Sequence, residues 1–304
     1  SKPFFYDGGE MVQIDPNLVL YEREGLLLKT GFDKARCITI DSADNVYVSG
    51  DAAIRIFDPT GNAAGEIELS EAPRPVAVDA EGVIYVGLSG HVEVYNRQGE
   101  RLARWEDRND RALLTSIAVD GNDVFVADAG NRVVLHYNGA GDLLKKIGEK
   151  DEQRNIPGFL IPTPYFDLTI APDGLLRVIN PGNHRIEAYT YRGDLEFSWG
   201  RFSGAIDGFC GCCNPVNLAI LPDESFGTVE KGLIRAKLYD PLGDFVGVVA
   251  GPEQLGVDGP VKICQFPEQC QSGGFDVAVD SNGRIFVLNT INNEVRIFSR
   301  KAGT

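Results

Sequence analysis

Val126-Ala-Asp-Ala-Gly-Asn131-Arg-Val133, preceded by Ile117-Ala-Val-Asp120 and followed by Val134-Leu-His-Tyr137 and Gly141, is the stretch whose reading decides the fold. Apolar residues alternate over short runs, and Asp, Asn and Gly punctuate them, which is the pattern of strands joined by tight turns. The first half recurs as Ile38-Thr-Ile-Asp41 before Val46-Tyr-Val48, Val76-Ala-Val-Asp79 before Val83-Ile-Tyr-Val86, and Val277-Ala-Val-Asp280 before Ile285-Phe-Val287. Weaker copies are Leu168-Thr-Ile170 with Asp173 before Leu176-Arg-Val178, and Leu218-Ala-Ile220 with Asp223 before Phe226-Gly-Thr228. Each copy continues into a third alternating run that ends on an aromatic: Phe57, Tyr95, Tyr137, Tyr189, Tyr239 and Phe298. A Gly follows soon after the first five, and a fourth apolar run, such as Leu143-Leu-Lys-Lys-Ile147, closes each of those.

Six copies of four strands predict an all-β, six-bladed β-propeller with four-stranded antiparallel blades, strands A to D running from the axis outward. Composition agrees: 35 Gly and 16 Pro are spread without low-complexity runs, and 43% hydrophobic residues suffice for a large core built of repeats. The last copy stops at Phe298-Ser299 with no fourth run. Gly25-Leu-Leu-Leu-Lys-Thr30 is strand-like and otherwise unassigned, so residues 26 to 30 are expected to supply the outer strand of blade 6 and close the ring. Residues 1–24 then read as an N-terminal extension and 25–304 as the propeller.

Blade 3 resembles the NHL repeat through Ala118-Val-Asp120 and Val126-Ala-Asp-Ala-Gly-Asn131-Arg132-Val133, and blade 4 carries a similar Pro181-Gly-Asn-His184-Arg-Ile186. The resemblance implies the architecture. It implies no activity, because this superfold carries lyases, lactonases, sensors and plain binding modules.

A formal net charge of −15 with only 29 Lys and Arg excludes affinity built on neutralising phosphates, so no nucleic-acid partner is expected. The apolar runs are too short to span a bilayer as a helix. The D-to-A and B-to-C connections share one face of the propeller, here the top face. The interval between the repeated Asp residues grows from 38 residues (Asp41 to Asp79) to 57 (Asp223 to Asp280). The excess lies in the top connections entering blades 4, 5 and 6, and long loops on a rigid scaffold are where binding concentrates. A protein partner is expected there. The repeated Asp residues themselves sit on the opposite face and read as turn stabilisers.

All six cysteines lie in or beside top connections of three consecutive blades: Cys37 before strand A of blade 1, Cys210, Cys212 and Cys213 before blade 5, Cys264 and Cys270 before blade 6. They are expected to form one cluster. Two readings stay open: disulfide staples, favoured by an even count outside the cytoplasm, and an iron–sulfur cluster or another thiolate-bound metal. The crowding of Phe209-Cys-Gly-Cys-Cys-Asn-Pro215 suits ligands better than separate disulfides. The cysteines, with a sequence that starts at Ser1, lead to an extracytoplasmic (periplasmic or secreted) expectation. Glu230 and Lys231, in an atypical B-to-C turn of blade 5, are expected at the surface as an ion pair. With Arg235 they could instead attend a thiolate-bound cofactor, offsetting its charge.

Weaker candidates are the histidines His91, His136 and His184, and the set Asp167, Asn217 and Asp276 at the axial ends of three inner strands. The latter imitates the channel metal site of lactonase-type propellers and supports the alternative of a disulfide-stapled lactonase- or lyase-like enzyme. No phosphate loop, nucleophile elbow or HExxH motif occurs. A non-catalytic binding or scaffold propeller with a top-face thiol centre is the leading expectation.

Overall fold

The computed structural model describes residues 13–106, 108–257 and 274–303. Six four-stranded antiparallel sheets form the blades. Blade 1 comprises Ala35–Ile40, Val46–Gly50, Ala53–Phe57 and Ala63–Glu68, and blade 2 Val76–Val78, Ile84–Gly87, Val92–Tyr95 and Arg101–Arg104. Blade 3 comprises Leu114–Asp120, Asp123–Asp128, Val133–Asn138 and Leu143–Ile147, and blade 4 Leu168–Ile170, Leu176–Asn180, Arg185–Tyr189 and Leu195–Trp199. Blade 5 runs through Asn217–Ile220, Phe226–Val229, Ala236–Tyr239 and Phe245–Ala250. Blade 6 has Phe275–Val279, Ile285–Asn289 and Glu294–Arg300 from the C-terminal end, and takes Tyr21–Lys29 as its outer strand.

Burial follows the radius. The middle strands, such as Val46–Gly50 and Leu176–Asn180, are buried on both faces because each is sandwiched between neighbouring blades. Outer strands such as Ala63–Glu68 and Leu195–Trp199 expose most of their residues. The core is therefore divided among the junctions: Tyr47, Ile54, Ile84 and Tyr95 join blades 1 and 2, and Ile179, Trp199, Phe226 and Tyr239 join blades 4 and 5. The aromatic that ends each third run fills these junctions. The turn after it begins with a side-chain cap; Asn138 Oδ1 accepts the N–H groups of Ala140 (3.0 Å) and Asp142 (2.9 Å). Its glycine is required twice over at Gly243, where φ is +89° and a Cβ would come within 2.3 Å of Trp199.

The Asp turns on the opposite face cap as expected. Asp41 Oδ1 accepts from Ala43 and Asn45, and Asp280 Oδ1 from Asn282 and Arg284. Asp120 departs from this role, because its turn is a tight Asp120-to-Asp123 hairpin and its carboxylate accepts the Tyr191 hydroxyl at 2.7 Å instead.

Closure is longer than the sequence pattern implied. The ladder begins at Tyr21 opposite Arg300 and ends at Lys29 opposite Glu294, with an irregularity between Arg23 and Leu27 that interrupts the alternation. Leu28 is 3% exposed and packs with Val295 and Phe286 at the junction of blades 6 and 1. Leu28→Ala should cost about 2–5 kcal/mol in a urea unfolding titration. A loss under ~1 kcal/mol would mean that the ring does not depend on this strand.

Candidate functional site

The inner strands of all six blades line an axial channel of about 280 Å³. The residue just before the first apolar position of each strand A stands at its top end: Cys37, Pro75, Ser116, Asp167, Asn217 and Asp276. In five blades that side chain reaches the backbone of the next blade. The Cys37 thiol lies 4.0 Å from the Val76 carbonyl oxygen, Ser116 Oγ donates to the Leu168 carbonyl (3.2 Å), and Asp167 Oδ2 accepts the Leu218 N–H (2.8 Å). Asn217 Nδ2 donates to the Phe275 carbonyl (2.6 Å), and Asp276 Oδ2 accepts the Ile38 N–H (2.8 Å), bringing the ring back to blade 1.

Asp167, Asn217 and Asp276 thus line one channel, but each is already engaged in a tie between blades. Burial raises the pKa of both carboxyls well above the ordinary 3.8, and the Asp276 charge raises that of Asp167 further. Cys37 belongs to this ring. Burial first, and Asp276 second, push its thiol pKa up.

The sulfur loop stands farther out, on blade 5. Cys212 is exposed and Cys213 buried, and their Sγ atoms are 3.3 Å apart. Burial raises the pKa of Cys213, while Thr163 and the Lys231 ammonium pull it back down. The Lys231 ammonium also lies 3.4 Å from Thr163 Oγ1 and 4.4 Å from the centre of the Tyr165 ring. Cys210 is buried, and the Glu230 and Arg235 charges act on its thiol in opposite directions. So Cys212 and Cys213 come together and Cys37 has other neighbours. Cys264 and Cys270 lie outside the described residues. No disulfide joins Cys37, Cys210, Cys212 or Cys213 to another described residue. Among the described residues no group of three or more His, Cys, Asp or Glu is placed to hold a metal ion.

Glu230 corrects the sequence expectation. It is not half of a surface pair with Lys231; it is fully buried and accepts Arg235 Nε at 2.7 Å and Nη2 at 3.1 Å, with Lys237 Nζ 3.3 Å away. Arg235 is therefore spent on Glu230. Of the three, Lys231 is the one that acts on Cys213, while the Glu230 and Arg235 charges act on Cys210. The physical reason is that this turn is covered by the 200–216 connection, which the buried charges hold from beneath. Glu230 Oε1 accepts the Cys210 N–H at 3.3 Å, and Lys237 Nζ donates to the carbonyls of Ile206 (3.2 Å) and Gly208 (2.6 Å). Asn214 bonds the backbone of Lys231 in both directions, and His184 Nε2 meets the Gly211 carbonyl, where φ of +91° turns the chain.

The histidines do not converge. His184 anchors the sulfur loop, His91 faces Glu93 at 3.6 Å, and His136 bonds Asp123 while stacking on Phe125.

No family profile and no curated protein matches this chain. Its fold is similar to that of virginiamycin B lyase from Staphylococcus aureus, with TM-score 0.61 and 12% identity over 92% of this chain and 100% of that one. A protein of unknown function from Bacteroides thetaiotaomicron gives TM-score 0.63 and 14% identity, covering 91% of this chain and 73% of that one. Kuenenia stuttgartiensis hydrazine synthase gives 0.57 and 15%, covering 92% and 99%. These likenesses are of fold. The chain is a six-bladed propeller with lyase-like structural neighbours, and no described helix is long and apolar enough to cross a membrane.

Two outcomes test this geometry. Glu230→Gln leaves Arg235 and Lys237 buried without a carboxylate and should destabilise the protein by about 3–5 kcal/mol in chemical denaturation. The channel carboxyls set a pH dependence: their folded pKa values are raised, so the folded state binds protons more tightly than the unfolded chain. Their contribution is complete below about pH 4 and is lost as pH rises toward neutrality. Wild type should lose stability relative to Asp167→Asn across that window, and a difference independent of pH would show that the pair does not titrate there.

Proposed function

We propose that this protein is a binding propeller of NHL type that acts outside the cytoplasm and presents a thiolate-bound metal centre on its top face to a protein partner. The observation that carries the reading is the pair Cys212 and Cys213, with sulfurs 3.3 Å apart, one exposed and one buried beside Lys231. A tetrahedral centre with metal–sulfur bonds of about 2.3 Å needs thiolates about 3.8 Å apart, so the pair is close to a ligating geometry. The Lys231 ammonium favours the Cys213 thiolate and offsets its charge. Cys264 and Cys270, outside the described residues, are the proposed source of further ligands, since their connection enters the next blade on the same face. Cys210 lies in the same loop, but its thiol is buried and its backbone N–H is held by Glu230. The exposed edge at Cys212 is where a partner would meet the centre.

A channel enzyme of lactonase or lyase type is the second reading, favoured by the likeness in fold to virginiamycin B lyase and by three polar residues at the channel top. The engagement of Asp167, Asn217 and Asp276 in ties between blades weighs against their serving as an open metal set.

Protein purified without oxygen should carry a bound transition metal and show fewer titratable thiols than after chelation. Cys213→Ser should abolish that metal while the far-ultraviolet circular dichroism is unchanged, and Lys231→Met should weaken it by about tenfold or more. Three disulfides and no metal by mass spectrometry would overturn the centre. Cell fractionation of the source organism checks the compartment independently.

A further inference from the structure

Above the axial ring the channel widens into a mouth of about 360 Å³, bounded by Lys34, Arg36, Arg74, Thr115, Pro164 to Phe166, Gly274 to Asp276 and Thr290. That volume equals about a dozen water molecules and lies in the range of small-molecule pockets. Its cations are placed there by a backbone device. In blade 1 the register slips between Ala35 and Cys37, so Arg36 is the extra residue of a β-bulge in strand A. Bulges re-aim side chains, and this one sends to the mouth a residue that strict alternation would have placed between blades. Blade 3 has the same slip between Leu114 and Ser116, which delivers Thr115 to the opposite wall.

Arg74 joins Arg36 from blade 2, where its backbone is fixed by an N–H bond to the Gly87 carbonyl (2.9 Å) and by the Ser49 hydroxyl on its own carbonyl (2.7 Å). The two guanidinium groups are near enough for the Arg36 charge, after burial, to lower the pKa of Arg74. Among the described residues no carboxylate forms an ion pair with either, and Arg36 Nε is buried without an acceptor. The one carboxyl among the described wall residues, Asp276, is engaged by the N–H groups of Ile38 and Val277, and burial favours its neutral form. A protein of net charge −15 therefore holds two guanidinium groups unmatched by any described carboxylate, with Lys34 beside them, at the entrance to its channel. Like charges are held together at a cavity when an anion is to lie between them, since planar guanidinium forks match carboxylate and phosphate oxygens.

We propose that the channel mouth is a binding site for a small organic acid, its carboxylate or phosphate head clamped between Arg36 and Arg74 and its apolar body against Tyr165. Tyr165 is fixed for this role: its hydroxyl accepts the Gly274 N–H at 2.9 Å, and the Lys231 ammonium sits over its ring. Cys37 is on the wall but is not among the proposed metal ligands, and the two sites share only Lys231, which none of the variants below alters, so their tests are separate.

Calorimetric titration with phenyl phosphate, phenylacetate, inorganic phosphate and neutral phenylacetamide tests it, the first two separating a phosphate head from a carboxylate one. Saturable binding of at least one of the organic acids, weakened by salt, is expected, with the amide not bound. Arg36→Gln and Arg74→Gln should each lower the affinity by about ten- to a hundredfold, while the exposed Arg154→Gln changes nothing. Mass spectrometry of wild-type protein treated with an arginine-directed dicarbonyl reagent gives a readout that needs no variant: the bound acid should protect Arg36 and Arg74 and leave Arg154 reactive. Absence of saturable binding by either acid, equal binding of the amide, or unchanged affinity in both arginine variants would overturn the proposal.

Discussion

The antiparallel ladder between Tyr21–Lys29 and Glu294–Arg300 is the interaction on which the rest of the molecule depends. Each blade is a sheet with two apolar faces, and a sheet of that kind can be buried only if it has a neighbour on both sides. Without the ladder, blade 6 would keep a bare edge at Glu294–Arg300, and nothing would hold it against blade 1. The junction that Leu28, Val48, Phe57 and Val295 share would then open to water. The channel and its mouth exist only inside a closed ring, so the most local feature of the chain's beginning controls the most central feature of its interior.

Polar groups inside this frame are divided by radius. At the axis, one side chain per blade reaches sideways to its neighbour's backbone, and this duty absorbs Asp167, Asn217, Asp276 and Cys37. Farther out on blade 5, the buried Glu230, Arg235 and Lys237 support the long connection that carries three cysteines. Lys237 is held there at a desolvation cost that lowers its pKa to about 8 even though Glu230 opposes the shift. A connection of that length held by ionic and amide bonds from beneath is a firm platform, which is what a ligand-bearing loop needs. The mouth lies between the axis and the platform, and Tyr165 touches both sides of it.

The repeat was legible because its signals are local: alternation, a capping Asp or Asn, a glycine at positive φ. The closing strand was legible from arithmetic alone, as a blade short of one strand beside a stray apolar run, although its start at Tyr21 was hidden by the irregularity after Arg23. Side-chain direction was much less legible. Cys37 stands before an apolar run just as Cys213 does, yet the first lies within an inner strand at the channel and the second is buried in a loop, and chain position cannot separate the two. Glu230 looked like a surface residue because charged residues in turns usually are. Its burial comes from a connection that crosses it, a tertiary event that leaves no mark in the local pattern. Arg36 was invisible for a third reason, since a bulge shifts the alternation by one residue and a single sequence offers no register to compare it with.

Closure also brings Val19 and Leu20 beside Lys301 at the outer edge of one blade, where the Lys301 N–H bonds the Leu20 carbonyl at 2.9 Å and its ammonium reaches the Val19 carbonyl. The order in which the chain visits the blades is thus separable from the ring itself. Linking Lys301 directly to the segment before Tyr21 and cutting instead at an exposed outer turn, such as the one at Leu242, would yield a circular permutant of the described ring with the same six junctions. The seam would move to another blade, and the axial channel and sulfur loop would stay where they are.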